Sequence, residues 1–322
     1  MYDTILIPVD RSPFAERAVP HAVAIARKTG AQLHIVMVHA LIGLDVVPRA
    51  PVTVETQFEH EIEREEKAYL DALAARIHDE HGLRVRTALL DGTVSRAIEG
   101  YIREHAVGLV VMSTHGHGGL RRAWLGSVAD RLVRHINVPL LLIRPSGDAP
   151  PRSASHFRVL VAMDGSPIAE AALEHATSLF GSGAHATLLR VVVPPLGPQS
   201  PYIPDAARLN IEDVEHETAL AQQYIATKMD LVRDRWLGVR TRVIASYHAA
   251  DAILRAARTN EADLVVLGTH GRGPFVRAIL GSVADKVVRG SDVPVLVFPA
   301  HGVEAANEPH RESRRVQEPT LL

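Results

Sequence analysis

The feature that most constrains this chain is a stretch that occurs twice. Residues 268–282 read GTHGRGPFVRAILGS and residues 113–127 read STHGHGGLRRAWLGS. Gly271 answers Gly116, Gly281 answers Gly126 and Ser282 answers Ser127, all at an offset of 155 residues. Val293-Pro294 and Val138-Pro139 keep that offset, and Val161-Ala-Met-Asp-Gly-Ser166 matches Ile7-Pro-Val-Asp-Arg-Ser12 at 154. Solenoid units repeat every 20–50 residues or roughly so, which makes this unit a domain with a core of its own. A chain of 322 residues is long enough for two.

Each copy carries a short apolar run into its loop, Leu109-Val-Val-Met112 in one and Leu264-Val-Val-Leu267 in the other. Such a run is a buried parallel strand entering a turn. Glycines three apart let backbone N–H groups approach a ligand and converge on it. Gly281-Ser282 then opens a helical pattern through Val283, Val287 and Val288, which adds free N–H groups, a hydroxyl and the positive end of a helix dipole. The combination suits phosphate. The plainer alternative is a glycine-rich turn that only lets strand and helix pack.

The rest of the first copy reads as alternating strand and helix. Ile5–Val9 is a strand ending at Asp10, and Ser12-Pro13 is an N-cap and first-turn pair for a helix that Gly30 ends. Pro20 predicts a kink inside that helix. Leu33–Val38 is the second strand, a long charged helix spans about Gln57 to His81, and Val85–Leu90 is the third strand. A helix over Val94–His105 leads to the strand before the glycine loop, and Leu140–Ile143 closes the unit. This β-α order predicts a parallel sheet with helices on both faces and right-handed crossovers. The second copy repeats it from Val159 to Phe298, with a proline-rich irregular segment at 194–204.

The pattern G-x2-G-x9-G-[ST], after an apolar strand and an earlier V-D-x-S strand end, resembles the universal stress protein family. The resemblance covers both copies. The second, Gly268-x2-Gly271-x9-Gly281-Ser282, matches the family's ATP-binding pattern in full, whereas the first has Ser113 in place of the first glycine. It implies two tandem Rossmann-like domains, akin to the adenine nucleotide α-hydrolases. Each is a five-stranded parallel sheet of order 3-2-1-4-5 with helices on both faces. The domains span 1–146 and 158–300, with a linker at 147–157 and a polar tail at 301–322 whose composition predicts disorder. The family's habit of pairing units through their last strands implies an intramolecular pseudo-dimer, with a homodimer of chains as a further level.

The resemblance also assigns nucleotide-binding positions. In the second copy they are Asp164, Val191, Gly268, Thr269, His270, Gly271, Arg272, Gly273, Gly281, Ser282 and Val283. In the first they are Asp10, Ala40, Ser113, Thr114, His115, Gly116, Gly118, Gly126, Ser127 and Val128. The cofactor implied is ATP, with Mg²⁺ beside its phosphates. Asp164 would bond ribose or adenine or hold the ion, against a simpler role as a turn former before Ser166. Val191 and Ala40 would meet adenine through the backbone. Arg272, Arg277, Arg121 and Arg122 would offset phosphate charge, or else stand in solvent.

Composition excludes other classes. The chain has no cysteine, so disulfides, thiolate metal sites and thiol catalysis are out. A formal net charge of −2 gives no global attraction to nucleic acid or to a membrane surface, and no apolar run reaches the length of a membrane span. The start at Met1-Tyr-Asp-Thr-Ile has no basic leader, so the expectation is a cytoplasmic protein. There is no spaced metal-ligand set, no G-x4-G-K-[ST] and no G-x-S-x-G. With no general base beside the glycine loops, the expectation is binding more than turnover, not an enzyme, and the resemblance implies the same, a nucleotide-dependent regulatory, stress-response module. An interaction scaffold with empty sites and a slow ATPase are the alternatives.

Overall fold

Short apolar runs become strands and amphipathic runs become helices, which alternate along each half apart from the split of its first helix in the first half. The computed structural model describes residues 2–39, 52–114, 125–144, 157–194, 206–269 and 280–299. The first copy contributes β1 (Thr4–Pro8), α1 (Pro13–Glu16), α2 (Ala18–Thr29), β2 (Gln32–His39), α3 (Val52–His81) and β3 (Val85–Asp91). It continues with α4 (Val94–Glu104), β4 (Leu109–Ser113), α5 (Ser127–His135) and β5 (Leu140–Ile143). The second contributes β6 (Phe157–Ala162), α6 (Pro167–Phe180), β7 (Ala184–Val192), α7 (Ala206–Val232) and β8 (Gly238–Ala245). It ends with α8 (Ala249–Thr259), β9 (Leu264–Gly268), α9 (Ser282–Gly290) and β10 (Val295–Phe298).

The ten strands of the described residues join one sheet in the order β3-β2-β1-β4-β5-β10-β9-β6-β7-β8. Within each half the pairing is parallel and the order is 3-2-1-4-5. At the centre β5 and β10 run antiparallel, with Leu140 opposite Val297 and Leu142 opposite Val295. One face buries apolar residues of α2, α3, α6 and α7, the other those of α4, α5, α8 and α9, and each buried cluster draws on both halves. Coverage on both sides is why β4, β5 and β10 are buried from end to end.

Several boundaries differ from the sequence reading, those of β1, β2 and β3 by one residue at one or both ends. The expected kink at Pro20 is instead a break at Arg17 between α1 and α2, which puts Pro20 third in α2. First-turn N–H groups have no intrahelical partner, so proline costs nothing there. The charged helix starts at Val52, not near Gln57, and buries Leu70, Leu73 and Ile77. Helix α4 ends at Glu104, with His105 as its cap residue. Strand β6 begins at Phe157, the last residue of the expected linker, which pairs with Ala184 of β7 while its ring stacks on Phe180 with centroids 5.6 Å apart. The remainder of that linker, most of the proline-rich segment and the tail lie outside the described residues.

Candidate functional site

The site begins with two matching turns at the carboxyl ends of β1 and β6. Asp164 Oδ1 accepts the Ser166 N–H at 2.9 Å and its hydroxyl at 2.6 Å. Ser166 Oγ in turn accepts the Ala169 N–H at 3.2 Å and caps α6. In the first half Asp10 Oδ1 accepts the Ser12 N–H at 3.0 Å and its hydroxyl at 2.5 Å, while Ser12 Oγ accepts the Ala15 N–H at 3.1 Å. The chain turns through left-handed residues, Gly165 at φ +80° and Arg11 at φ +65°. Each aspartate is therefore a turn former, and the turn holds its carboxylate at the strand end.

The glycine loops are pinned at both ends in the same way. Thr269 donates its N–H to Phe298 O at 2.8 Å, and Gly281 donates to Thr269 O at 2.7 Å. In the first half Thr114 donates to Ile143 O at 2.9 Å and Gly126 to Thr114 O at 2.8 Å. Gly281 and Gly126 are extended N-cap residues, so Ser282-Val283 and Ser127-Val128 form the first turns of α9 and α5. A side chain at Gly268 would meet Ile168 Cγ2 at 2.6 Å. Ser113 stands at the same place in the first half and is buried. There Phe14, 37% exposed, takes the position of Ile168.

Between these elements of the second half lies a cleft of about 580 Å³. Asp164, Val191, Gly268, Thr269, Gly281, Ser282 and Val283 all line it. Its apolar wall comes from Leu189, Ile253, Leu267 and Leu280. The sequence reading did not single these four out, because cleft walls and ordinary core use the same residue types. Arg190 on β7 donates from Nη1 to Met163 O at 3.3 Å, beside Asp164, with its guanidinium 5.8 Å from the Tyr224 ring centroid. The Tyr224 hydroxyl donates to Glu170 at 3.1 Å, which ties α7 to α6, and burial pushes the Tyr224 hydroxyl well above its ordinary pKa.

Several expected positions lie outside the described residues: His270, Gly271, Arg272, Gly273, His115, Gly116, Gly118 and Ala40, with Arg121, Arg122 and Arg277. The register also revises one pairing. Val9 donates to Val36 O at 2.8 Å and Met163 to Leu189 O at 2.7 Å, so Val38, not Ala40, is the first-half counterpart of Val191. The stretch from strand one to strand two is one residue longer in the first half, which spacing alone does not locate. Among the described residues no group of three potential ligands is placed to hold a metal ion, and no helix is long and apolar enough to cross a membrane.

Two doubly wound domains, each with a glycine-framed helix N-terminus at the carboxyl ends of its strands, define a tandem Rossmann-like α/β protein. The chain belongs to the Universal stress protein family, whose sequence model matches residues 1–144 and again 156–299. A universal stress protein of Mycolicibacterium smegmatis is 28% identical over 305 residues, covering 91% of this chain and 96% of that one. Universal stress protein Rv1996 of Mycobacterium tuberculosis is 29% identical over 310 residues, covering 91% and 94%. Among solved structures, the functionally unknown protein PA1789 of Pseudomonas aeruginosa superposes with a TM-score of 0.68 at 18% identity, covering 95% of each chain. A universal stress protein of Archaeoglobus fulgidus gives 0.62 at 20% identity, covering 92% and 98%. These last two share the fold.

Proposed function

We propose that the second domain binds an adenine nucleotide, ATP in the first instance, and that the protein acts as a nucleotide-dependent regulatory module and not by turnover. The observation that carries this reading is the convergence of all seven described second-copy candidates on one cleft of about 580 Å³. That volume falls within the roughly 300–1,000 Å³ usual for small-molecule sites. Val191, Ile253 and Leu280 offer an apolar wall suited to a base, and Asp164 offers a carboxylate to ribose hydroxyls or to Mg²⁺. Ser282 and the free N–H groups of the α9 first turn offer donors to phosphate. The first domain keeps the same turn and loop frame but carries Ser113, so its affinity is the lower of the two.

Nucleotide released by denaturing the purified protein, quantified per chain, tests this directly. About one adenine nucleotide per chain assigns the second domain, and about two shows that Ser113 is tolerated. None, with no binding on titration with Mg-ATP, would overturn the reading. Release of phosphate from ATP above a protein-free control would replace the regulatory reading with an ATPase.

A further inference from the structure

The last, apolar half of β7 carries one charged residue: Leu188, Leu189, Val191 and Val192 flank Arg190. Leu189 and Val191 line the cleft, so strand alternation turns Arg190 to the other face of the sheet, under α7. There its guanidinium lies 5.8 Å from the Tyr224 ring centroid, within cation–π range, and Nη1 returns to the strand end to donate to Met163 O at 3.3 Å. The first half has Met37 at this place, 3% exposed. Much of the surroundings is shared. Asp10, Glu16 and Tyr69 answer Asp164, Glu170 and Tyr224, and Tyr69 donates to Glu16 at 2.9 Å as Tyr224 donates to Glu170 at 3.1 Å.

Met163 is held through both of its backbone groups by β7. Its N–H donates to Leu189 O at 2.7 Å, and its carbonyl accepts from Arg190. That carbonyl lies in the same rigid peptide plane as the Asp164 N–H, so holding it sets the direction in which Asp164 leaves the strand. Behind the guanidinium, Lys228 Nζ stands 5.5 Å from the Tyr224 ring centroid and 2.9 Å from Glu170 Oε2, which fixes the ring against which Arg190 packs. Burial and Glu170 push the Tyr224 hydroxyl pKa up, Arg190 pulls it down and Asp164 adds to the rise. Arg190 and Asp164 therefore stand within electrostatic reach of one oxygen.

We propose that Arg190 is a positioning residue of the second-domain site, which fixes the Met163–Asp164 peptide and so aims the Asp164 carboxylate at the ribose hydroxyls or the Mg²⁺ of a bound nucleotide. The inference rests on the nucleotide reading above and adds a residue that lies outside the cleft. Asp164 is the one carboxylate among the described residues that line the cleft, so its direction decides what a sugar or a cation meets there. A methionine has no donor, so Met37 cannot hold the Val9 carbonyl in this way, and the first domain lacks this clamp.

Mg-ATP titrations of the full chain, beside melting curves, test this in a double-mutant cycle. Arg190→Met, which installs the first-half residue, should weaken Mg-ATP binding about fivefold, the worth of one hydrogen bond. In an Asp164→Asn background the same change should cost less than about twofold, because the carboxylate that Arg190 aims is gone. Arg190→Lys keeps a donor for the Met163 carbonyl and should restore affinity to within about twofold of the parent. A merely structural arginine would lower the melting temperature without this non-additivity in binding. Where the parent binds Mg-ATP, three results would overturn the positioning role and leave the nucleotide reading intact. They are an Arg190→Met variant that binds as tightly as the parent, the same loss in both backgrounds, and a lysine variant no better than the methionine one. A parent that binds no nucleotide would overturn both.

Discussion

Arg289 on α9 reaches across the seam between the halves to Asp130 on α5, with 3.7 Å between Nη2 and Oδ1. Each residue also has a partner in its own helix, Arg289 with Asp285 at 2.9 Å and Arg134 with Asp130 at 3.0 Å. Both helices start at the glycine-serine turns that frame the two loops. The antiparallel β5–β10 pair therefore sets the strand carboxyl ends of the two halves at opposite edges of the sheet, with a charged link between the two helices that start at the glycine-serine turns.

That link is partly exposed, at 25% and 31% of the two side chains, so its net worth is about 0.5–1 kcal/mol. A double-mutant cycle of Asp130→Ala and Arg289→Ala, read by urea unfolding, should return a coupling of this size. The coupling should shrink in high salt. A value above about 2 kcal/mol would mean that the seam depends on this pair more than its exposure allows.

Gly268 and Ile168 form a second testable pair. A Cβ at Gly268 has only 2.6 Å to Ile168 Cγ2, and that methyl sits on a stiff β-branched side chain. Gly268→Ala should cost about 1–3 kcal/mol through overpacking. In an Ile168→Ala background the same change should cost much less, because the opposing methyl is gone. Equal costs in both backgrounds, measured as unfolding free energies, would show that the glycine is needed for another reason.

Much of this was legible in the sequence, and what was not has physical causes. Apolar runs such as Leu140–Ile143 mark buried strands, and Ser12-Pro13 and Ser166-Pro167 mark helix starts, because each signal is local. The repeated glycines located the loop frame for the same reason. The register of β5 on β10 was not legible, since a run of four apolar residues looks the same in either alignment. Ile253 and Leu280 were missed because nothing in an apolar side chain tells a cleft wall from a core. Arg17 as a helix break, in place of a kink at Pro20, is a choice between two turns of one helix that composition does not separate.

Acid should weaken the first domain through a buried cluster with no counterpart in the second. His34 on β2 is hydrogen-bonded through Nδ1 to the Tyr101 hydroxyl at 3.0 Å, and the Tyr101 ring stacks on His105 at 3.8 Å. Burial, with Arg86 and His105 nearby, pulls the His34 pKa from its ordinary 6.5 to about 4. The unfolded chain therefore takes up this proton first as pH falls. Stability from neutral His34 is full above about pH 6.5 and declines as pH drops toward 4. Thr187 holds this position in the second half, so His34→Thr should flatten that part of the pH dependence. Urea midpoints at pH 7 and pH 5 for both proteins measure it.

Asp164 separates turn building from ligand binding within one side chain. Its Oδ1 accepts both Ser166 bonds, which an asparagine carbonyl can also accept. Asp164→Asn should leave stability within about 0.5 kcal/mol of the parent, whereas Asp164→Ala, which removes the turn, should cost about 1–2 kcal/mol. Nucleotide affinity should behave differently. If the carboxylate charge contacts Mg²⁺ or ribose hydroxyls, Asp164→Asn should weaken Mg-ATP binding roughly tenfold without loss of fold, since one charge-assisted bond is worth about 1.5–3 kcal/mol. Titration of the two variants with Mg-ATP, beside their melting curves, decides it: an asparagine variant that binds as tightly as the parent would leave Asp164 only its turn.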